Sequence, residues 1–302
     1  MTTVGFIGLG SMGLPMARNL LNRGFAVRGF DVKAGSLTAL EQAGGTPAAD
    51  AADAARGADA LVLMVVNAAQ ADAVLFDAGA LRALPAGGVV ILMATCPPGT
   101  VAALAAKVEA AGRRFLDAPV SGGVVGAVAG SLTIMAAGAP ATYAAARPVL
   151  ETMGQRLFHV GEQPGQGAAV KTVNQLLCGV HIAVTAEAFA LAAKAGVDPA
   201  VLLEIMGGSS AASWMLKDRG PRMLEAEPHV TSAVDIFVKD LGIVLEAGRE
   251  AKAALPLAAA AHQMFLATSG RGDGAADDSQ VIRSYHALNG THPGGTRPGG
   301  TV

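Results

Sequence analysis

Val4-Gly-Phe-Ile-Gly-Leu-Gly-Ser-Met-Gly13 is the most informative stretch of the chain, because a short apolar run leads directly into three closely spaced glycines. Gly8, Gly10 and Gly13 have the spacing G-x-G-x-x-G. In that spacing the first glycine permits a tight turn, the second lets a pyrophosphate approach the backbone, and the third lets a helix pack closely on the strand. The phosphates then meet free N–H groups at the helix N-terminus. A glycine turn without a ligand is the alternative, which the strand before it and the helix after it disfavour.

Asp31 ends the next apolar run, Phe25-Ala-Val-Arg-Gly-Phe-Asp31. A carboxylate at the end of this strand can accept hydrogen bonds from both hydroxyls of an adenosine ribose, whereas a 2′-phosphate would meet a like charge. The pattern therefore predicts NAD rather than NADP as cofactor, with Lys33 as the nearby residue that could soften the preference. A solvated acid at a strand end is the alternative interpretation.

The N-terminal half alternates short β-branched runs with Ala-rich helical stretches, which is typical of a parallel sheet covered by helices. A cluster of Gly and Pro at 161–167 ends this pattern, and long helical periodicity follows. We predict an α/β chain in which a Rossmann-type doubly wound sheet precedes an all-α domain, joined by one long connecting helix. The predicted domains are 1–164 for dinucleotide binding, 165–287 for substrate binding and oligomerisation, and 288–302 as a disordered tail. The predicted strands are 4–7, 26–30, 60–66, 89–93, 114–116, 132–136 and 156–160.

The long helix is predicted over 168–195, where Gly179 is the one interruption and Gly196 supplies a natural stop. At 1.5 Å per residue it would be roughly 42 Å long, and it carries few charges. Such a helix needs apolar cover on almost every side, so we predict a homodimer or homotetramer built through it. Further helices are predicted at 199–206, 212–224, 232–252, 256–268 and 276–287.

Composition excludes several classes of partner. The 302 residues include 22 Lys and Arg against 24 Asp and Glu, a net charge of −2, so no basic surface for nucleic acid is expected. Two uncharged runs, 83–106 and 118–146, are long enough to span a membrane but are broken by Pro and Gly. Cys96 and Cys178 are far apart and lack metal-ligand spacing. We therefore expect a cytoplasmic protein without a membrane span, a disulfide or a metal, and without a secretory signal.

Four motifs in the same order resemble those of the β-hydroxyacid dehydrogenase family, the relatives of 3-hydroxyisobutyrate dehydrogenase and tartronate semialdehyde reductase. GFIGLGSMGLPMARNL at 5–20 is similar to the cofactor motif of that family, and DAPVSGG at 117–123 to its substrate motif. GAAVKTVN at 167–174 is similar to its catalytic motif and KDL at 239–241 to its late cofactor motif. The resemblance runs from about residue 3 to 287.

The resemblance implies a role for individual residues. Lys171 would be the catalytic acid/base, and Lys239 would lie on the nicotinamide side of the site. The implied substrate residues are Ser121, Gly122, Gly123, Asn174 and Lys239. The implied cofactor residues are Gly8, Leu9, Gly10, Ser11, Met12, Gly13, Asp31, Val65, Val66, Gln70, Thr95 and Lys239. Val65-Val66 stands where the family often has Leu-Pro, which is a departure from its pattern.

The same residues make chemical sense by themselves. Oxidation of a secondary alcohol by hydride transfer leaves a proton that some group must take. Lys171 is one of few charges on an apolar helix, and desolvation brings a lysine closer to the range in which it exchanges protons. Asn174 follows three residues later, roughly 300° around the helix, so the two heads are expected to point into one cleft. A snorkelling lysine and a plain glycine loop are the alternatives.

Strings in the C-terminal half resemble most the branch of the family that oxidises a four-carbon sugar acid, L-threonate, at C2 with NAD. The polar residues in and near the motifs favour a substrate with several hydroxyls: Ser121, Asn174, Gln175, Lys239, Asp240, Ser209, Ser210 and Ser213. Some of these could instead bond the cofactor or the backbone. Oxidation of 3-hydroxyisobutyrate, reduction of tartronate semialdehyde and a non-catalytic NAD-binding scaffold are the alternative functions.

Overall fold

A computed structural model describes residues 2–292 and 295–296. The chain divides into two compact units, one through Thr172 and one from Val173 onward. The predicted α/β class and the helical C-terminal half are both confirmed. The predicted functional division at 164/165 stays a prediction.

The first unit is built on a sheet of nine strands. Its strands are β1 Thr3–Ile7, β2 Ala26–Phe30, β3 Thr46–Pro47, β4 Ala60–Leu63, β5 Val89–Leu92, β6 Arg114–Asp117, β7 Val120–Ser121, β8 Leu132–Ala137 and β9 Gly154–Gly161. The first six lie in the order β3-β2-β1-β4-β5-β6 and are all parallel. This is the order of a dinucleotide-binding sheet, in which the strand order reverses between β1 and β4.

The remaining strands make the sheet mixed rather than fully parallel. β8 runs antiparallel to β6 and to β7, and β9 then runs parallel to β8. β3 and β7, each of two residues, were not predicted from the sequence. β3 contains a proline, which removes a backbone donor and is tolerated because the strand lies at the sheet edge.

Helices cover both faces of this sheet. They are α1 Gly13–Asn22, α2 Ala34–Gln42, α3 Ala51–Ala55, α4 Ala68–Asp72, α5 Ala80–Ala83, α6 Pro98–Ala110, α7 Gly123–Ala129 and α8 Pro140–Met153, with a π-helical turn at Ala73–Asp77. β4 shows why a strand between two helical layers is a continuous apolar run. Ala60 and Val62 pack into one hydrophobic cluster, and Leu61 and Leu63 into the cluster on the other face.

The long helix α9, Gln166–Lys194, begins in the first unit and continues into the second. It starts two residues before its predicted beginning and ends one residue early. Gly196 adopts φ +73°, and Val197 N–H bonds the Ala192 carbonyl, so the predicted glycine stop is confirmed. Among the described helices, α9 alone is long and apolar enough to cross a membrane, but more than half of its most apolar window is buried, as in a core helix of a soluble protein.

Within the described residues, the regular elements of the second unit are helices and one short two-stranded ribbon. Its elements after α9 are α10 Pro199–Gly207, α11 Trp214–Met223, α12 Val234–Glu250, α13 Pro256–Thr268, a π-helical turn Ser269–Asp273, a 3-10 turn Asp278–Val281 and α14 Ile282–Asn289, followed by β10 Thr291–His292 paired with β11 Gly295–Thr296. The core of this unit forms where α9 packs with α12, α13 and α14, around Phe189, Phe237 and Phe265.

The end of the chain differs from the prediction in two details. The helix predicted over 276–287 is a 3-10 turn followed by α14, and α14 ends at Asn289 because Gly290 adopts φ +62°. Residues 288–292 and 295–296 of the predicted tail 288–302 therefore belong to regular elements or the turn between them. Its other residues lie outside the described part of the chain.

Asp278, the first residue of the 3-10 turn, has a structural role. Arg219 Nε and Nη2 donate to the two carboxylate oxygens of Asp278, each at 2.8 Å. Both partners of this bidentate pair are buried, and a buried carboxylate must be paired in this way. The pair fastens α11 to the 3-10 turn that precedes α14.

Candidate active site

The glycine turn between β1 and α1 leaves no room for side chains at two of its positions. A Cβ on Gly8, which adopts φ +92°, would lie 2.3 Å from the Met64 carbonyl oxygen at the end of β4. A Cβ on Gly13 would lie 1.8 Å from the Gly8 carbonyl oxygen. The first glycine therefore permits contact between β1 and β4, and the third lets α1 start directly above the strand, as the spacing predicts.

Gly10 differs from the other two because a Cβ at this position would meet no atom within 4 Å. Gly10 lies three residues before α1, whose N-cap, Met12, makes no side-chain capping bond and whose first turn contains no acidic residue. An anion can therefore approach the backbone here and meet the positive end of the helix dipole. The turn fits the pyrophosphate of a dinucleotide.

Asp31 follows β2 and is fixed by the backbone on both sides. Its Oδ2 accepts a hydrogen bond from Leu9 N–H at 2.7 Å, and its Oδ1 accepts one from Lys33 N–H at 2.8 Å. Each oxygen keeps a second lone pair, so the carboxylate can still accept from two hydroxyls of a ribose. The predicted ribose acid is thus bonded directly to the glycine turn.

The loops after β4 and β5 carry the other predicted cofactor contacts of this unit. Val65 and Val66 follow β4, and Val66 N–H donates to Gln70 Oε1 at 2.9 Å. Gln70 therefore closes the loop between β4 and α4 on itself. Thr95 lies in the loop between β5 and α6. Because β1, β4 and β5 are adjacent and parallel, all three loops emerge at the same edge of the sheet, where dinucleotides bind in such folds.

Ser121, Gly122 and Gly123 form the turn from β7 into α7. Gly122 adopts φ +130° and Gly123 φ +61°, two successive conformations that side chains strongly disfavour. Ser121 pairs with Thr133 on β8, which fixes its position in the sheet. The turn places the Ser121 hydroxyl beside two residues that have no side chains, which suits the approach of a carboxylate ligand.

Lys171 lies on the first turns of α9 and is only 7% exposed. The start of that helix is held by Asp117, the last residue of β6. Asp117 Oδ2 accepts from Gly165 N–H at 3.0 Å and from Ala168 N–H at 2.8 Å. A Cβ on Gly167 would lie 2.4 Å from the Met135 carbonyl oxygen, so this glycine lets the helix begin close to β8.

Asp117 was not predicted as a functional residue, although it begins the DAPVSGG motif. It is fully buried, and no described group hydrogen-bonds its Oδ1. Burial raises the pKa of Asp117 to about 6, against the lowering effect of the backbone N–H groups of Ala168, Gly165 and Gly167. A lone acid at the end of an apolar strand is the sequence signal that could have indicated a buried cap.

Asn174 and Lys239 lie in the second unit and are linked by a chain of side chains between α9 and α12. Asn174 Nδ2 donates to Gln175 Oε1 at 2.9 Å and to Cys178 Sγ at 3.3 Å. Gln175 Nε2 donates to Asp240 Oδ2, and Lys239 Nζ pairs with Asp240 Oδ1. Gln175 and Asp240 are buried, so both bond to each other rather than standing open to a substrate.

Two serines of the predicted polar set also have local partners. Ser213 Oγ caps α11 by accepting from Leu216 N–H at 3.0 Å. Ser209 Oγ donates to the Met206 carbonyl and accepts from Ala211 N–H. Gln175, Asp240, Ser209 and Ser213 thus bond to protein groups, which is the alternative that the sequence left open for some of these polar residues. Within the described residues, no group of three His, Cys, Asp or Glu side chains could hold a metal ion.

Comparison with known proteins covers both units. Residues 3–161 match the family model described as the NAD binding domain of 6-phosphogluconate dehydrogenase. Residues 165–285 match the model described as NAD-binding of NADP-dependent 3-hydroxyisobutyrate dehydrogenase. The chain belongs to the β-hydroxyacid dehydrogenase family. The predicted family and NAD as cofactor are thereby confirmed.

Individual relatives agree with this assignment. An L-threonate dehydrogenase from Cupriavidus necator is 44% identical over 94% of this chain and 96% of its own length. A 3-hydroxyisobutyrate dehydrogenase from Pseudomonas aeruginosa is 38% identical over 88% of this chain and 91% of its own. A crystal structure of 3-hydroxyisobutyrate dehydrogenase from Salmonella typhimurium has a TM-score of 0.90 at 40% identity, covering 94% of this chain and 99% of that one. The protein is an NAD-dependent oxidoreductase that acts on the CH–OH group of hydroxy acids.

Proposed function

We propose that the protein oxidises L-threonate at C2 to its 2-oxo acid, with NAD as cofactor and Lys171 as the acid/base. The observation that carries this proposal is the 44% identity to an L-threonate dehydrogenase over nearly the whole of both chains. Four further relatives with that name are 39–40% identical to this chain. The relative named for 3-hydroxyisobutyrate is less similar, although the Salmonella structure with that name makes 3-hydroxyisobutyrate the second candidate.

Lys171 has the properties that the reaction needs from its base. The hydroxyl proton must leave the substrate as the C2–H bond breaks, and the amine of Lys171 would take it at Nζ. When bound, NAD supplies the redox chemistry by accepting the hydride. Lysine is suited to proton transfer when buried, and Lys171 is buried on a helix whose start is capped by Asp117. The cap fixes the helical turn from which the lysine acts.

The cofactor would be held mainly by the first unit. The backbone of residues 8–13 would bind the pyrophosphate, and Asp31 would accept from the adenosine ribose. Val65, Val66 and Thr95 lie in loops at the same sheet edge, and Gln70 lies in α4, directly after the first of these loops. These four residues and Lys239 would contact the nicotinamide half. The hydrogen bond from Val66 N–H to Gln70 favours Gln70 as the residue that shapes this loop.

The substrate would be held at its carboxylate by Ser121, Gly122 and Gly123, where two glycines with positive φ add no side chains beside the serine hydroxyl. Asn174 and Lys239 would contact the rest of the molecule. A site that hydrogen-bonds substrate hydroxyls rejects analogues that lack them, because its polar groups would then be buried without partners.

We also propose that the protein is a cytoplasmic homodimer or homotetramer. In the second unit, α9 exposes four apolar side chains at intervals of four and seven residues, which places them along one side of the helix. They are Val173, Leu177, Val184 and Leu191. A second copy of the chain would cover this side.

A side-by-side kinetic comparison tests the substrate. Purified protein is assayed with NAD and L-threonate, D-threonate, erythronate, glycerate or 3-hydroxyisobutyrate, while the absorbance of reduced cofactor is followed. We expect kcat/KM for L-threonate to exceed that for 3-hydroxyisobutyrate by about 10⁴ or more, as for other sites that bond substrate hydroxyls. If 3-hydroxyisobutyrate is the best substrate, the substrate assignment is overturned while the family and Lys171 stay in place.

A further inference from the structure

The side chains that link α9 to α12 form a series of hydrogen bonds in which the donor and the acceptor of each bond are fixed. Asp240 is buried at one end and pairs with Lys239, so its carboxylate is an acceptor only. The end of the Gln175 amide that meets Asp240 must therefore be its NH₂ group. The other end is then the Gln175 carbonyl, which can only accept. The charge at Asp240 thus determines which way the Gln175 amide points.

Asn174 is oriented by Gln175 in the same way. Because Gln175 offers its carbonyl oxygen, the end of the Asn174 amide that meets it must be the NH₂ group, at 2.9 Å. The second N–H of that group is directed to Cys178 Sγ at 3.3 Å. Both donors of Asn174 are engaged, and its Oδ1 lies at the opposite end of the amide. Asn174 is therefore left with an acceptor to offer.

We infer that Asp240, acting through Gln175, makes Asn174 a selective acceptor for a substrate hydroxyl beside the reacting carbon. This inference rests on the proposed function, since it names how that site recognises a polyhydroxy acid. A substrate carboxylate has no proton to give to Asn174 Oδ1 and would be repelled by it. Asn174 would thus select for hydroxyls, and Gln175 and Asp240 would be positioning residues that touch no substrate.

Close packing of α9 on α12 keeps Gln175 within hydrogen-bond distance of Asp240. A Cβ on Gly179, one turn after Gln175, would lie 2.8 Å from Leu241 Cδ2, and Leu241 follows Asp240 directly. The close approach of α9 to α12 at this glycine brings Gln175 within reach of a carboxylate on the neighbouring helix. A longer separation would require a water molecule between them, which could donate or accept and would not transmit a direction.

The kinetic test uses Gln175→Met, which removes the amide that bonds Asp240 to Asn174 but leaves the Asp240–Lys239 pair in place. Exposed Gln263 on α13 provides the matched control, Gln263→Met. The substrates are L-threonate and its two analogues that lack the C3 or the C4 hydroxyl. We expect Gln175→Met to lower kcat/KM for L-threonate by about three- to tenfold and to leave one analogue nearly unchanged, since one hydrogen bond is lost. Equal loss on all three substrates, or no loss, would overturn the inference.

A second measurement needs no activity. In protein labelled with ¹⁵N at asparagine, the side-chain amide of Asn174 is assigned by its disappearance in Asn174→Ala. Both of its protons should exchange with solvent much more slowly than those of exposed Asn289, and this protection should be lost in Gln175→Met. Exchange of Asn174 as fast as Asn289 in the unmodified protein would contradict the inference, even if Gln175→Met does not fold. If no hydroxy acid is oxidised, the proposed function fails and this measurement alone decides the orientation.

Discussion

The carboxylate of Asp31 and the backbone N–H of Leu9 are joined by a hydrogen bond of 2.7 Å. The acid that ends β2 is therefore part of the phosphate-binding turn that follows β1. This bond orients the carboxylate before any ribose reaches it, so little further ordering is needed when the cofactor binds. It also means that a change at position 31 affects the turn as well as the choice of cofactor.

We predict that Asp31→Asn narrows the preference for NAD over NADP by about ten- to a hundredfold in kcat/KM, the range for a hydrogen bond to a charged group. The substituted amide keeps one oxygen that can accept from Leu9 N–H, whereas its NH₂ group cannot accept from Lys33 N–H, so the bond to the glycine turn is kept and the bond to Lys33 is lost. Asp59 also accepts from a backbone N–H, that of Thr3, and Asp59→Asn is the control. Equal efficiency with both cofactors in the unmodified enzyme would refute the role of Asp31.

Gly179 tests the packing of α9 on α12. Its added Cβ would press on three side-chain atoms of Leu241 at 2.8–2.9 Å, so we expect Gly179→Ala to lower the free energy of unfolding by about 1–3 kcal/mol. Gly207, within α10, has open space around a Cβ, and Gly207→Ala should be neutral or slightly stabilising. Chemical denaturation measures both variants. Equal stability of the two would show that the helices separate without cost.

Asp117 gives a pH dependence with a defined sign. Its pKa is raised to about 6 by burial, so between pH 3.8 and about 6 the folded state binds a proton that the unfolded state has released. The contribution of protonated Asp117 to the free energy of unfolding is fully present below this pH range and is lost as the pH rises through about 6. Relative to Asp117→Asn, which does not titrate, the unmodified protein should lose on the order of 3 kcal/mol over this range.

Denaturation curves collected from pH 4 to 7.5 check this expectation. Exposed Asp77 supplies the control, because Asp77→Asn should follow the unmodified protein at every pH. Parallel stability curves for the unmodified protein and Asp117→Asn would mean that the buried carboxylate keeps its ordinary titration.

The proposed assembly predicts a solution mass at least twice the 30.0 kDa of one chain. Leu177→Glu places a charge in the middle of the exposed apolar side of α9 and should shift the mass toward 30 kDa, since burying an unpaired charge is strongly unfavourable. Leu257 on α13 is also an exposed leucine, so Leu257→Glu is the matched control. A light-scattering mass near 30 kDa for the unmodified protein at micromolar concentration would refute the assembly.

Local patterns predicted most of the fold. β2 has its predicted bounds, β1 and β5 differ from theirs by one residue at one end, and α13 begins and ends as expected. β3 and β7 were not predicted, because a strand of two residues is too short to show an alternation of apolar and polar side chains. The reversal at β8, which runs antiparallel to β6, also has no local sequence signal, because strand direction depends on how the connecting segments pack.

Some residues of the candidate site could likewise be predicted from local sequence, and others could not. The glycine turn and Asp31 were predictable because their spacing is itself the chemistry. Asp117, Gln175 and Asp240 could not be assigned their observed contacts, since those contacts join residues 48 to 65 positions apart in the chain. From the sequence, Gln175 and Asp240 were only two of eight polar residues that could contact a substrate or bond elsewhere, because both lie in or beside matched motifs. Burial of the pair, which the sequence does not reveal, directs them toward each other.

Lys171→Ala decides whether Lys171 takes the proton during oxidation of a hydroxy acid. With NAD and L-threonate, kcat should fall by about 10² to 10⁴, the usual contribution of a positioned acid/base, while the Kd for NAD stays within about twofold. Lys194→Ala, which removes an exposed lysine at the other end of the same helix, should keep full activity. Retention of more than about a tenth of the unmodified kcat in Lys171→Ala would contradict this role, because another group would then be the acid/base.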